Sequence, residues 1–173
     1  LVKRQAQTIA FGELSAMTFG DAPLGLGAVA TSGLSVSYEV LSGPGAIQEG
    51  RNLVILGAGT LVVRAAQAGN VDYLPAPVVD RALTVARKAQ DIAFDALSPV
   101  TFGDAPFALL GTSGSGLPVS FSIVSGPASV AGGTLTILGG GSVVLRASQS
   151  GNINFLSALD VDRVLQINRK AQT

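Results

Sequence analysis

Few residues in this chain could do chemistry, and their types exclude most reaction classes. The 173 residues include no cysteine and no histidine. That removes disulfides, thiolate attack, Cys/His zinc sites and every Ser–His or Cys–His pair. The acids in suggestive places are Asp21 and Asp104, each following a glycine, and the pair Asp160 and Asp162. Calcium takes about six to eight oxygen ligands. No D-x-D-x-D-G loop supplies them, and the earlier counterparts of Asp160 and Asp162 are Val78 and Asp80, which include only one acid. An aspartate after glycine is expected instead to cap a turn through its own backbone.

Other motifs fall short in the same way. Gly25-Leu-Gly-Ala-Val-Ala30 fits the loose dinucleotide pattern G-x-G-x-x-A. That pattern needs a helix to follow, and Thr31-Ser-Gly33 breaks the chain first. Gly139-Gly-Gly141 lacks the Gly-Lys-Ser/Thr ending of a phosphate loop and is expected to be a tight hairpin turn. Lys88 with Asn70, and Lys170 with Asn152, have the residue types of an isopeptide bond. That reaction needs the pair buried beside an acid, whereas these lysines fall in polar junctions and the asparagines in turns. Arg64 and Arg146 interrupt apolar strands out of phase with Val63 and Leu145. They are expected to face outward and pair with a neighbouring acid. The sequence therefore offers no catalytic residue, no cofactor-binding residue and no metal ligand, and an enzyme is not expected.

These residues sit in a chain that repeats itself. Gly57-Ala-Gly-Thr-Leu-Val-Val-Arg-Ala-Ala-Gln-Ala-Gly-Asn70 returns 82 residues on as Gly139-Gly-Gly-Ser-Val-Val-Leu-Arg-Ala-Ser-Gln-Ser-Gly-Asn152. Each copy is a glycine-rich turn, a run of β-branched and small residues, and a Gly-Asn turn: a strand between two reversals. Val2-Lys-Arg-Gln-Ala-Gln7 likewise matches Val85-Ala-Arg-Lys-Ala-Gln90 and Ile167-Asn-Arg-Lys-Ala-Gln172. The expected division is residues 1–6 as the end of a preceding repeat, 7–88 and 89–170 as two repeats, and 171–173 as the start of a following one. The short span around Arg87-Lys88-Ala89-Gln90 is expected to be an ordered junction, unlike a Gly/Ser tether.

Within each repeat the apolar residues alternate. Ile9 and Phe11, then Leu24, Leu26 and Ala28, then Val36, Tyr38 and Val40 each take one face. Leu53 with Ile55, Leu61 with Val63 and Ala65, and Leu83 with Val85 complete the set. The second repeat echoes them with Phe107 and Leu109, then Val119, Phe121 and Ile123, then Leu135, Ile137, Leu165 and Ile167. Turn signals such as Thr18-Phe-Gly-Asp-Ala-Pro23 and Ser42-Gly-Pro44 separate the runs, and no helical period appears. About seven short strands per repeat predict an all-β protein of two tandem antiparallel sandwiches.

Composition narrows the function classes. Eleven basic and eleven acidic residues cancel, and charged residues make up 13% of the chain. Such a chain has no electrostatic footprint for nucleic acid or an anionic membrane. Mean hydropathy is +0.49. No apolar run of about 18 residues suggests a membrane-spanning helix, and the first residues do not form a signal peptide.

Five ordered motifs carry a resemblance. They are Lys/Arg-Ala-Gln-x-Ile-x-Phe, Thr-Phe-Gly-Asp-Ala-Pro, Ser-Gly-Leu-x-Val-Ser-Tyr/Phe, Gly-x-Gly-Thr/Ser and Arg-Ala-x-Gln-x-Gly-Asn. Together, twice over, the chain resembles the MBG-type bacterial immunoglobulin-like repeat of long secreted and cell-surface proteins. The resemblance implies immunoglobulin-like sandwiches, an extracellular or cell-surface location, and a spacer or adhesive role without catalytic residues. Two functions are expected. One is a structural segment of a fibre, stalk or surface layer, packed end to end and laterally against other copies. The other is a binding module for a glycan or partner protein. Binding loops are enriched in aromatics and arginine, while these turns hold Gly, Ser, Ala and Pro, which favours the structural role. Lateral packing is expected because Leu41, Val54, Leu56, Val62, Val124, Leu138 and Val144 lie on strand faces that should meet water.

Overall fold

The computed structural model describes residues 3–171. Residues 1, 2, 172 and 173 lie outside the described residues, and the expected ends of neighbouring repeats partly fall on them. The described chain forms two compact units that divide between Lys88 and Ala89.

In the first unit the strands are β1 (Ile9–Ala10), β2 (Met17–Thr18), β3 (Leu24–Gly25), β4 (Val29–Ala30), β5 (Ser37–Ser42), β6 (Gly45–Gln48), β7 (Asn52–Ile55), β8 (Gly59–Ala66) and β9 (Val79–Ala86). One sheet has the order β2-β9-β8-β5, with β2 parallel to β9 and the other pairs antiparallel. A second has the order β3-β7-β6, and β1 pairs with β4. No helix occurs among the described residues. Strands β3 and β4 are two halves of one strand interrupted at residues 26–28. Likewise β1 and β2 are two halves of the opening strand, which pairs first with β4 and then with β9 of the other sheet. Seven strands in this order, divided between two sheets, form an immunoglobulin-like antiparallel sandwich.

The second unit repeats the path with β10 (Ile92–Phe94), β11 (Val100–Thr101), β12 (Phe107–Ala108), β13 (Gly111–Ser113), β14 (Ser120–Ser125), β15 (Ala128–Ala131), β16 (Thr134–Ile137), β17 (Gly141–Ser148) and β18 (Val161–Asn168). Its sheets run β11-β18-β17-β14 and β12-β16-β15, with β10 on β13. Each unit buries its own core. Leu53, Leu61, Val63, Ala65, Leu83 and Val85 fill the first, and Leu135, Val143, Leu145, Ala147, Leu165 and Ile167 the second. These are the alternating inward positions, and burial of their apolar surface is what drives the two sheets together.

Three features depart from the sequence expectation. Gly57–Gly59 and Gly139–Gly141 are not hairpin turns. Each carries the chain from β7 or β16, in one sheet, to β8 or β17, in the other. Gly59 and Gly141 have φ of +139° and +144°, which suits this corner and which side-chain-bearing residues rarely adopt. The opening and second strands are each broken in two. In the first unit the phenol oxygen of Tyr38 accepts the Ala28 amide hydrogen at 2.7 Å where the strand is interrupted. The second unit has Phe121 there, which packs on Gly111 so closely that a Cβ on that glycine would lie 3.0 Å from the ring. Lastly, Val54, Val62 and Val144 are half-buried rather than open to water. Val62 and Val144 belong to central strands, and cross-strand neighbours on both sides cover part of each.

Candidate functional site

The singled-out polar residues are engaged within the fold. Asp21 Oδ2 accepts the Thr18 amide hydrogen at 2.8 Å, and the Asp21 amide donates back to the Thr18 carbonyl at 3.0 Å. Gly20, with φ of +91°, lies between them. Asp104 closes the same turn on Thr101 at 2.8 Å. Asn70 Oδ1 accepts the amides of Asp72 and Tyr73, both at 2.8 Å, and Asn152 does the same for Asn154 and Phe155. Lys88, Lys170, Asn70 and Asn152 are all exposed, so neither pair has the burial an isopeptide bond requires. Gly25 to Ala30 runs from strand β3 through a bend into β4, with no helix for a dinucleotide phosphate. No cluster of three acidic metal-ligand residues occurs among the described residues.

Arg64 and Arg146 face outward, each with a carboxylate on the next strand. Arg64 forms a bidentate pair with Asp80, at 2.8 and 2.9 Å, with Glu39 at 4.0 Å. Arg146 does so with Asp162, both contacts at 2.8 Å, with Asp160 at 3.6 Å. The register explains the choice of partner: Arg64 is directly opposite Asp80, and Arg146 opposite Asp162. Asp160 and Asp162 thus flank one guanidinium. The hydrogen bonds from the arginines hold the Asp80 and Asp162 carboxyls below the ordinary carboxylate range, partly offset by desolvation.

A depressed carboxyl pKa has a definite consequence for pH. Its stabilisation is fully present above the unfolded value of about 4 and is lost as pH falls through the lower folded value. Melting temperature is expected to fall as pH drops below about 4, and to fall less in the Asp80→Asn, Asp162→Asn double variant. Identical acid sensitivity in both proteins, measured by thermal melts from neutral pH to pH 2, would rule out this source.

Sequence inspection missed a polar clamp on the loop between β8 and β9. Gln7 is 4% exposed, and its Nε2 donates to Gln67 Oε1 and to the Leu74 carbonyl, both at 2.7 Å. Its Oε1 accepts from Ser32 Oγ. Gln67 Oε1 also accepts the Gly69 amide at 2.6 Å. Backbone bonds from Gln5 to Asp72 and from Leu74 to Gln5 pin the same loop. In the second unit Gln90 Nε2 donates to Gln149 Oε1 at 2.5 Å and to the Leu156 carbonyl at 2.7 Å, and Ser115 Oγ donates to Gln90. No buried side-chain nitrogen or oxygen lacks a partner among the described residues. A satisfied network of this kind fixes a loop in one conformation. The glutamines recur in the Ala-Gln-x-Ile-x-Phe and Arg-Ala-x-Gln motifs, which was the available signal. The clamped loops each present a large apolar side chain: Val71 is 86% exposed and Ile153 is 76% exposed.

A hollow of about 220 Å³ lies beside Phe11, Leu14 and Leu24 in the first unit. The polar side chains lining it are Glu13 and Ser15, and Glu13 is drawn 3.3 Å from Arg81.

No protein-family model and no curated protein matches the chain. Solved structures do. Sidekick-1 immunoglobulin domains 1–4 are similar over 95% of this chain and 49% of theirs, at 14% identity and a TM-score of 0.40. Domains 1–6 of the surface layer protein SbsC match 96% of this chain and 28% of theirs, at 11% identity and a TM-score of 0.37. Drosophila N-cadherin EC1-4 matches over 94% and 51%, at 12% identity and a TM-score of 0.33. The chain spans about half the length of the N-cadherin and Sidekick-1 structures and a smaller part of SbsC. At these scores the assignment to the immunoglobulin-like class rests on the strand order of the chain itself.

Proposed function

We propose that this chain is a structural segment of an extracellular or cell-surface repeat protein of bacterial type. Its immunoglobulin-like units serve as spacers in a fibre, stalk or surface layer and pack laterally against other copies. It performs no catalysis. The observation that carries this reading is that the same sandwich is built twice, with the polar residues of its repeated motifs engaged within the fold. Asp21 and Asp104 cap turns, Asp80 and Asp162 clamp arginines, and Gln7, Gln90, Asn70 and Asn152 hold loops.

Lateral packing is supported by the outer face of the second unit. Register places Val144 opposite Val164, which is 61% exposed, and opposite Ser125, the neighbour of the bulged Val124, which is 50% exposed. Three apolar side chains thus form a row across β14, β17 and β18 where a sheet facing water normally alternates with polar residues. The first unit carries Leu41, Val62 and Ala82 in the corresponding places. The segment is expected to associate reversibly as its concentration rises, and Val144→Lys with Val164→Lys to weaken that association. Sedimentation equilibrium decides it: a segment that stays monomeric at high concentration, with lysine variants indistinguishable from it, refutes lateral packing.

A binding role is the second reading, favoured by the apolar tips that the clamped loops present at Val71 and Ile153. Val71→Ser and Ile153→Ser would then abolish recognition of a partner protein and leave self-association intact.

A further inference from the structure

We infer that the free edge of β14 is a self-docking strand, through which the second unit pairs antiparallel with β14 of a second copy about a two-fold axis. This rests on the lateral-packing reading and names the surface that carries it. In the sheet order β11-β18-β17-β14, β14 is the last strand, bonded on one side only. The backbone amides and carbonyls of its other side face away from β17, and the partner that satisfies such a row is another strand.

That edge strand carries a charge in the first unit and none in the second. Proteins protect edges with charges, proline and bulges. Strand β5 carries Glu39 at its centre, its side chain 62% exposed. The equivalent position in β14 is Ser122, and Ser120-Phe-Ser-Ile-Val-Ser125 contains no charge at all. Pro118 closes the stretch at one end, and the register shift between Ile123 and Ser125 closes it at the other. Val119–Ile123 remains for pairing.

The occupant follows from charge and symmetry. A second β14 brings no charge to the contact, whereas β5 of another copy would set Glu39 against uncharged serine and strip it of water at a cost. A two-fold axis centred on Phe121 makes the stretch self-complementary. Ser120 then opposes Ser122 of the other copy on the outer face, and Val119 opposes Ile123 on the core side. Val119, Phe121 and Ile123 are each half-buried, while the inward residues of β17 are fully buried. A strand added at this edge would cover the apolar surface left open there. It would also extend the outer sheet whose face carries Val124, Val144 and Val164, so edge and face belong to one interface.

The absence of native cysteine permits a direct test. The Ser120→Cys, Ser122→Cys double variant of the two-unit segment is expected to form covalent dimers on mild oxidation. A Ser129→Cys control, on β15 at the edge of the other sheet, is expected not to. Ser122→Glu gives β14 the residue its counterpart β5 already carries, so folding should be retained, checked by circular dichroism. It is expected to raise the dimer dissociation constant about ten-fold, because each carboxylate loses water opposite Ser120 of the other copy and lies diagonally across the axis from its like-charged mate. Reversible association with no cross-link at residues 120 and 122 and an unchanged constant in Ser122→Glu overturns the edge pairing and leaves lateral packing standing. Strict monomers at every concentration overturn both.

Discussion

Replacing Gly126 by alanine is expected to lower the stability of the second unit by about 3–4 kcal/mol, the sum of left-handed strain and overpacking. Gly126 lies in the Ser-Gly-Pro turn that takes the chain from β14 to β15 and so from one sheet to the other. Its φ is +104°, and a Cβ there would lie 2.4 Å from the Ser142 carbonyl oxygen and 2.7 Å from Val143 Cα. Both are backbone atoms of β17, at the centre of its sheet, so neither can swing aside as the end of a long side chain would. Gly43 in the first unit has φ of +91° and would meet the Thr60 carbonyl oxygen at 2.2 Å, so the same substitution there should act alike. Gly116 separates strain from contact, because its φ is +75° and nothing lies within 4 Å of its added Cβ. Gly116→Ala should cost only about 1–2 kcal/mol. Urea unfolding of the three variants measures the difference. If Gly126→Ala costs no more than Gly116→Ala, the turn does not press on β17 as described.

The same turn shows what was legible in the sequence. Ser-Gly-Pro marked the end of a strand because proline and glycine act locally, and that signal survives in any context. It did not reveal that the next strand joins the opposite sheet, since that depends on which strand the chain meets across the core. Gly139-Gly-Gly141 misled for the same reason, as local glycine chemistry is shared by hairpins and intersheet corners. Inward faces were legible because one face of each strand must bury its side chains, and Leu61, Val63, Ala65, Leu83 and Val85 are all buried. The exposure of Val62 and Val144 was overestimated, since alternation says which way a side chain points and nothing of the neighbours that flank it. The glutamine clamp was hidden for a further reason. Gln7 and Gln67 are 60 residues apart, and polar residues in a motif carry no periodicity that predicts a partner. Arg64 was expected to find an acid, and only strand register could name Asp80.

Alanine at Gly45 is expected to cost about 1–3 kcal/mol, and Leu61→Val is expected to relieve most of that loss. The two cores pack the same site differently. Register and repeat place Leu61 and Val63 where the second unit has Val143 and Leu145, so the larger and smaller side chains exchange places. The facing strand follows the exchange: Gly45 stands opposite Ile55, and its counterpart Ala128 stands opposite Ile137. A Cβ on Gly45 would lie 2.8 Å from Leu61 Cδ2, 3.2 Å from the Val54 carbonyl oxygen and 3.3 Å from Leu53 Cδ1. Leu61 is fully buried and cannot turn outward. Ala128 beside Val143 shows the relieved arrangement already present in the second unit, where both are buried. Leu61→Val alone removes a buried methylene and should cost about 1 kcal/mol. With alanine at position 45 that vacated volume is filled, so the double variant should be more stable than the two single costs imply, by about 1–2 kcal/mol. The converse holds in the second unit, where Val143→Leu should be harmful with Ala128 and tolerated with Ala128→Gly. Equilibrium unfolding of the four first-unit proteins closes the cycle. Single costs that simply add, to within about 0.5 kcal/mol, would mean that the two positions do not share the space described, and that the repeats diverged there without compensation.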